Sequence, residues 1–333
     1  MRPRILITAL LAVAGFAATG CGGSSDTNSS SPDTGKGSTK LSLVAYSTPE
    51  VVYDEIIPAF QKTSGGKDVG FQTSYGASGE QSRAVESGLK ADVVTFSLAP
   101  DVDRLVKSGQ VAADWNATPT KGFVTTSEVA FIVRKGNPKG IRGWDDLLKP
   151  GVKVVTPNPF TSGAAKWNLL GAVAHGGLPF VSKLISDHVS VQPKSGRDAL
   201  QAFTGGEGDV LLSYEYEYTT AVKKGEKDLE LVRPDDTIRI ENPIAVTKTA
   251  PAAAKAFVAF ALSPAGQQHF ADWGYRPTDA GVLAKNKSRF PDPGKLSTIE
   301  DLGGWDKVNT EYFDETKGSI AKIEQDAGVS TAK

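Results

Sequence analysis

The sequence predicts an α/β fold with mainly parallel sheets, on three observations. Short apolar runs of strand length alternate with helix-spaced segments from residue 41 onward. The helix-spaced segments open on Ser, Thr or Pro and stop at Gly. The 333 residues are 39% hydrophobic, which suits two domains of ordinary size with substantial cores.

Leu41–Tyr46 reads as a buried strand. Thr48-Pro49 then has the form of a helix start, with Thr as cap and Pro first in the helix, and Val52, Ile56 and Phe60 recur at helical spacing up to Gly65-Gly66. Val69–Tyr75 alternates like a second strand, a helix is expected from about Glu80 to Ser87, and Ala91–Ser97 is a third strand. Further strands are Val129–Val133, Val152–Val155 and Asp209–Ser213. Helices are expected at about Ala164–Ala174, stopped by Gly176-Gly177, at Arg197–Phe203, and after Ser263-Pro264.

The first twenty residues read as a secretory signal: Arg2 and Arg4, an apolar stretch from Ile5 to Ala18, then Thr19-Gly20 before Cys21. The apolar stretch is shorter than the ~20 residues of a membrane span. Cys21 is the only cysteine, so it has no internal disulfide partner. Its place resembles the lipobox of bacterial lipoproteins, with Ala18 where Leu is usual, and lipidation of Cys21 is expected to anchor the protein to a membrane. Residues 21–40 are nearly all small or polar and are expected to be a flexible tether. The formal charge is -1, and losing Arg2 and Arg4 takes it to -3. A chain so balanced is not expected to bind nucleic acid. If the ligand is an anion, its affinity must come from local groups.

Those local groups are visible. Three predicted helices open with Ser-Gly after an extended segment: Ser78-Gly79, Ser162-Gly163 and Ser195-Gly196. Ser78 with Gln81 also fits a capping box. Helix N-termini carry unpaired N–H groups and partial positive charge, and glycine removes bulk where something approaches. A single Ser N-cap is usually only a cap, but three in separate βα units would converge beyond the carboxyl ends of the strands, where α/β folds bind ligands. Enzyme signals are weaker. Ser64-Gly-Gly-Lys67 matches an S-x-x-K pattern but lies in a glycine turn without partner motifs. His175, His188 and His269 lack metal-ligand spacing, Asp101-Val-Asp103 lacks the rest of a calcium loop, and no phosphate-binding glycine motif is present. No catalytic residue, metal or cofactor is expected.

The same segments carry a resemblance. Tyr75–Gln81, Ala91–Thr95, Val133–Pro138, Thr156–Pro159 with Ser162-Gly163, Lys166–Asn168, Gly208–Leu211 and Ser263–Gln267 resemble the sulfate-binding proteins of ABC importers, over nearly the whole folded body. The resemblance implies a two-lobed periplasmic-binding-protein-like fold of type II, with the sheets joined by crossing hinge strands and closing on ligand. Lobe 1 would hold residues 41–126 and 247–333, and lobe 2 residues 127–246. It implies a subunit outside the cytoplasm, lipid-anchored to the outer face of the membrane, monomeric, and partnered by permease subunits and through them an ATPase. It also implies ligand groups: the Ser162 hydroxyl; the backbone N–H groups of Ser47, Ser78, Gly163, Ala164 and Gly196; and Tyr214 in the place of the family's tryptophan. Ala164 stands where the family has glycine, Gly196 where it has alanine, and Ser47–Glu50 replaces an Asp-Pro-Thr-Arg run.

A site made only of donors suits sulfate, a dianion without a proton, whereas the proton of phosphate would be left unpaired at a cost of ~1–3 kcal/mol. Thiosulfate is equally admissible. Lys166 and Arg197 are expected to be structural. Phosphate or molybdate remains the alternative ligand: Glu50, Asp198 or Glu215 pointing inward would supply the acceptor that phosphate wants, and Tyr214 in place of tryptophan keeps molybdate open. A secreted serine hydrolase is the alternative class.

Overall fold

In the computed structural model of the chain, which describes residues 29–34 and 37–332, the first lobe is built on four strands and three helices. The strands are β1 (Ser29–Thr34), β2 (Thr39–Tyr46), β3 (Val69–Gly76) and β4 (Val93–Thr95), and the helices are α1 (Glu50–Gln61), α2 (Ser78–Glu86) and α3 (Ala99–Lys107). β2 lies between β3 and β4 and parallel to both. Leu41–Tyr46 is buried throughout, which is why that stretch reads as a continuous apolar run and not as an alternation.

The chain then enters β5 (Phe123–Arg134), a long strand shared between the lobes. The second lobe follows: β6 (Val154–Val155), α4 (Gly163–Lys183), β7 (Val189–Val191), α5 (Gly196–Thr204), β8 (Val210–Tyr214), α6 (Glu215–Lys223) and β9 (Leu229–Val232). The return strand, β10 (Asp236–Val246), pairs antiparallel with β5 through Arg239–Pro243 and with β4 through Ile244–Val246. Two long antiparallel strands therefore join a sheet ordered β1-β3-β2-β4 to one ordered β8-β6-β7. The sheets are mixed: β2 runs parallel to β3 and β4, and β6 parallel to β7 and β8, while the crossing strands β5 and β10 run antiparallel to each other.

The chain ends with α7 (Ala252–Leu262), α8 (Pro264–Asp272), β11 (Arg276–Pro277), α9 (Ala280–Lys285), β12 (Lys295–Ser297), α10 (Gly304–Glu311) and α11 (Ser319–Asp326). Phe257 of α7 meets Phe60 of α1 edge-on at 5.3 Å and Phe71 of β3 at 4.9 Å, which ties α7 to the first lobe. The last segment departs from the expected division. Trp305 lies against Trp167 of α4 at 4.9 Å, Gln192 donates to Glu324, and Asn158 donates to the Ser330 carbonyl. Residues from about 304 onward thus pack on the second lobe.

Several local expectations need correction. Ser29–Thr34, inside the expected tether, lies antiparallel along β3, and Thr39-Lys40 already belong to β2. An edge strand accepts such a partner by backbone pairing alone, so the polar SSSPDT sequence carries no apolar signal. Its register slips between Ser31 and Thr34, where Pro32 cannot donate. Thr48 does not cap α1; its hydroxyl pairs with Tyr216. Ser78 and Gln81 form no capping box, because Ala77 is the N-cap of α2. Gly177 does interrupt α4, at φ 69°, and the helix resumes through Lys183. The signal segment 1–20 and Cys21 lie outside the described residues.

Candidate ligand-binding cleft

The carboxyl ends of the parallel strands face each other across the boundary between the lobes. From the first lobe come the Ser47-Thr48 turn after β2, the start of α2 after β3, and Ser97 after β4. From the second come Ser162-Gly163-Ala164 at the start of α4, Ser195-Gly196 at the start of α5, and Tyr214 at the end of β8.

These groups form one connected cluster. Ser97 donates its N–H to Ser78 Oγ at 3.0 Å, and its carbonyl accepts from Trp167 Nε1 of α4 at 2.8 Å. A methyl on Gly163 would lie 2.8 Å from Leu98 Cγ and closer still to Ser97 Oγ. One on Gly196 would lie 3.2 Å from Thr48 Cγ2 and 3.7 Å from Ala164 Cβ, and one on Gly79 3.3 Å from the Thr161 carbonyl oxygen. Each Ser-Gly glycine is therefore a point where the lobes touch. The close approach that glycine permits is made by the opposite lobe. Arg197 adds a latch: its guanidinium donates to the Ser47 carbonyl and pairs with Glu50. Lys194 pairs with Glu80 at 3.5 Å.

The three serines behave differently. Ser195 is an ordinary cap whose hydroxyl accepts from Asp198 N at 3.2 Å. Ser78 gives its hydroxyl proton to Asp101 Oδ2 at 2.6 Å, and Arg104 holds the other oxygen of that carboxylate at 3.1 Å. Ser162, the N-cap of α4, does not spend its hydroxyl on the helix. The N–H groups of Ser78, Gly163, Ala164 and Gly196 stand in first helical turns, where no carbonyl one turn back is available to them.

The charges at and around the cluster are paired, Asp101 with Arg104 and Arg197 with Glu50. The acids that sequence placed beside it are tied elsewhere: Glu50 to Arg197, and Glu215 to Arg276 and Arg233. Lys166 donates to Asn309 and lies over the Phe313 ring. Burial raises the phenols of Tyr46, Tyr214, Tyr216 and Tyr275, so all four stay as neutral O–H groups. Tyr216 stacks on Tyr275 at 3.7 Å in the interior.

Glu217, in the first turn of α6, is also buried, and burial pushes its carboxyl up to about 8 against the pull of Arg197 and Lys224. The folded state then holds a proton that the unfolded chain releases near 4.5, so stability falls as pH rises from about 4.5 through 8. Glu217→Gln should match the parent at pH 5 and melt several degrees higher at pH 9. Equal melting temperatures at both pH values would show that the carboxyl is not held protonated.

The family model of bacterial extracellular solute-binding proteins matches residues 41–276. The chain belongs to that family. It is 39% identical to a sulfate-binding protein of Synechococcus elongatus, over 92% of this chain and 91% of the relative. It is 37% identical to a thiosulfate-binding protein of Pseudomonas aeruginosa, over 81% of this chain and 88% of the relative. Among solved structures it resembles the sulfate-binding protein SubI of Mycobacterium tuberculosis H37Rv, with a TM-score of 0.80 at 47% identity over 83% of this chain and 100% of that one. The solute-binding family and the two-lobed fold agree with the resemblance read from the sequence.

The segments that carry the seven sequence-expected residues all lie at this lobe boundary, and its hydrogen bonds also involve Ser97, Asp101 and Trp167. Ser97 carried a signal, since it directly follows an apolar strand at the end where α/β folds bind ligands. Asp101 and Trp167 carried none that was local, because their partners lie 23 and 70 residues away.

Proposed function

We propose that this solute-binding protein is the sulfate- or thiosulfate-binding subunit of an ABC importer, holding the dianion between its lobes by neutral hydrogen-bond donors. One observation carries the reading: three helix N-termini and uncharged hydroxyls meet where the lobes touch, while the nearest acids and bases are paired with each other. The backbone N–H groups of Ser47, Ser78, Gly163, Ala164 and Gly196, the Ser162 hydroxyl and the Tyr214 phenol are the proposed ligand contacts. Each bond to a charged oxyanion contributes ~1.5–3 kcal/mol, so six or seven exceed the ~8 kcal/mol of micromolar binding after ordering and desolvation.

Binding closes the lobes, and Arg197 and Lys194 reach across to Ser47, Glu50 and Glu80 as they meet. The protein would act without catalysis, as an exported monomer that presents its closed form to permease subunits and through them to an ATPase. Residues 1–20 would direct export and Cys21 would carry the lipid that holds it at the outer face of the membrane. Lobe 1 would comprise residues 41–126 with the chain from 247 to about 303, and lobe 2 residues 127–246 with the final helices.

Thermal unfolding of the chain lacking its first 21 residues tests the reading, with sulfate, thiosulfate, molybdate and phosphate at matched ionic strength. Sulfate or thiosulfate at ~100 times its dissociation constant should stabilise by ~2.7 kcal/mol, a rise of several degrees. Phosphate should have little effect. A rise with phosphate alone would replace the ligand, and no rise with any oxyanion would remove the transport reading.

A further inference from the structure

The described residues contain buried polar atoms that no neighbour satisfies, and two of them meet at the lobe boundary. Ser97 is 1% exposed, and its Oγ has no hydrogen-bond partner. Tyr214 is 1% exposed, and its phenol oxygen has none either. Ser97 Oγ lies close to the Tyr214 phenol, yet neither oxygen reaches hydrogen-bonding geometry with any group. Buried hydroxyls are normally paired, so two orphans side by side imply an absent partner.

The backbone of Ser97 is held from both lobes, by Ser78 Oγ on its N–H and Trp167 Nε1 on its carbonyl. That grip leaves the Ser97 side chain one free degree of freedom, rotation about its own bonds. Its Oγ packs against the backbone of Gly163 at the start of α4, in the space that a Cβ there would take. The first turn of α4 begins there, with donors that cannot satisfy Ser97 or Tyr214 by accepting from them. A group that accepts from Ser97, Tyr214 and the α4 N-terminus together is a multivalent acceptor, which is the chemistry of a tetrahedral oxyanion.

We infer that Ser97 is a direct ligand contact of this cleft, its hydroxyl and that of Tyr214 donating to the same bound oxyanion from opposite lobes. The inference rests on the proposed oxyanion site and adds to it a group that joins the anion only on closure. It also gives Tyr214 a partner. A phenol reaches the ligand from a different point than an indole, and a second donor beside it fills the space that this leaves.

The test is calorimetric titration of sulfate into the parent chain, Ser97→Ala, Tyr214→Phe and the double variant, with ligand-free unfolding of each. Removing an orphaned buried hydroxyl leaves the fold intact, so Ser97→Ala should unfold at or above the parent temperature. Its sulfate affinity should fall about tenfold. The double variant should lose less than the product of the two single losses, because the hydroxyls share one ligand. Unchanged affinity in Ser97→Ala, with the parent binding normally, would overturn the inference while leaving the proposed function standing. A fall in ligand-free stability without a fall in affinity would also overturn it, by making Ser97 structural. Failure of the parent to bind sulfate would remove both.

Discussion

Gly163→Ala should weaken sulfate binding about a hundredfold while leaving the ligand-free protein as stable as the parent. Gly163 opens α4, and in the closed arrangement its backbone lies against Ser97 and Leu98 of the other lobe. An added methyl would be 2.8 Å from Leu98 Cγ and nearer to Ser97 Oγ, well inside van der Waals contact. The Ser97 hydroxyl can rotate aside, but Leu98 must shift as well, and the backbone of Ser97 next to it is held by Ser78 and Trp167. Overpacking of this kind costs ~1–3 kcal/mol, and each 1.4 kcal/mol is about tenfold in affinity. With the lobes apart the methyl faces solvent, and alanine is the better helix former by up to ~1 kcal/mol. Affinity and stability should therefore separate. Calorimetry with sulfate and ligand-free unfolding measure the two; an affinity within threefold of the parent would show that the lobes close without this contact.

That dependence on opposed surfaces explains what the sequence could and could not reveal. Ser195 was legible as a cap because its partner, the N–H of Asp198, is three residues away. The strand ends and Ser-Gly starts were legible for the same reason, since apolar runs and capping chemistry are local. Ser78 looked equally like a cap, but its hydroxyl goes to Asp101, 23 residues on, and that competing partner wins. Thr48 is taken from its helix by Tyr216, 168 residues away. The crossing itself has no local signal, because β10 returns from the second lobe to pair antiparallel with both β5 and β4, a property of the path and not of any segment. The C-terminal helices followed the family's outline into the first lobe on paper, whereas Trp305 and Glu324 find Trp167 and Gln192 in the second. Glycine at each Ser-Gly start lets the facing lobe come close, an approach that no local pattern shows.

The hinge holds the other large effect. Arg276 on β11 is 8% exposed and donates to Glu215 at 2.5 Å, to Glu128 on β5 at 2.9 Å and to the Pro291 carbonyl at 2.8 Å. Arg233 adds a second, partly exposed contact to Glu215 at 3.3 Å. Two buried carboxylates thus depend mainly on one guanidinium. Removing one member of such a set leaves the others buried and uncompensated, at ~3–5 kcal/mol. Arg276→Met should cost that much, and the cost should depend on pH. Burial and the neighbouring Glu215 push Glu128 up to about 7, against the pull of Arg276 and Arg233. The folded state already binds the Glu128 proton more tightly than the unfolded chain, so stability falls as pH rises from about 4.5 through 7. Without Arg276 that proton is held to still higher pH, and the fall extends further. Denaturant unfolding should show a modest loss at pH 5 and the full loss at pH 8, and adding Glu128→Gln to Arg276→Met should recover part of it. A loss that is equal at both pH values would mean that the arginine contributes through packing on Phe290 and not through its charge. The consequence reaches the cleft because Glu215 directly follows Tyr214 at the start of α6. Arg276 therefore ties the crossing strand β5 to the residue beside the proposed ligand contact Tyr214. Sulfate affinity in Arg276→Met should fall even at pH 5, where the fold survives, because α6 loses the anchor that positions Tyr214.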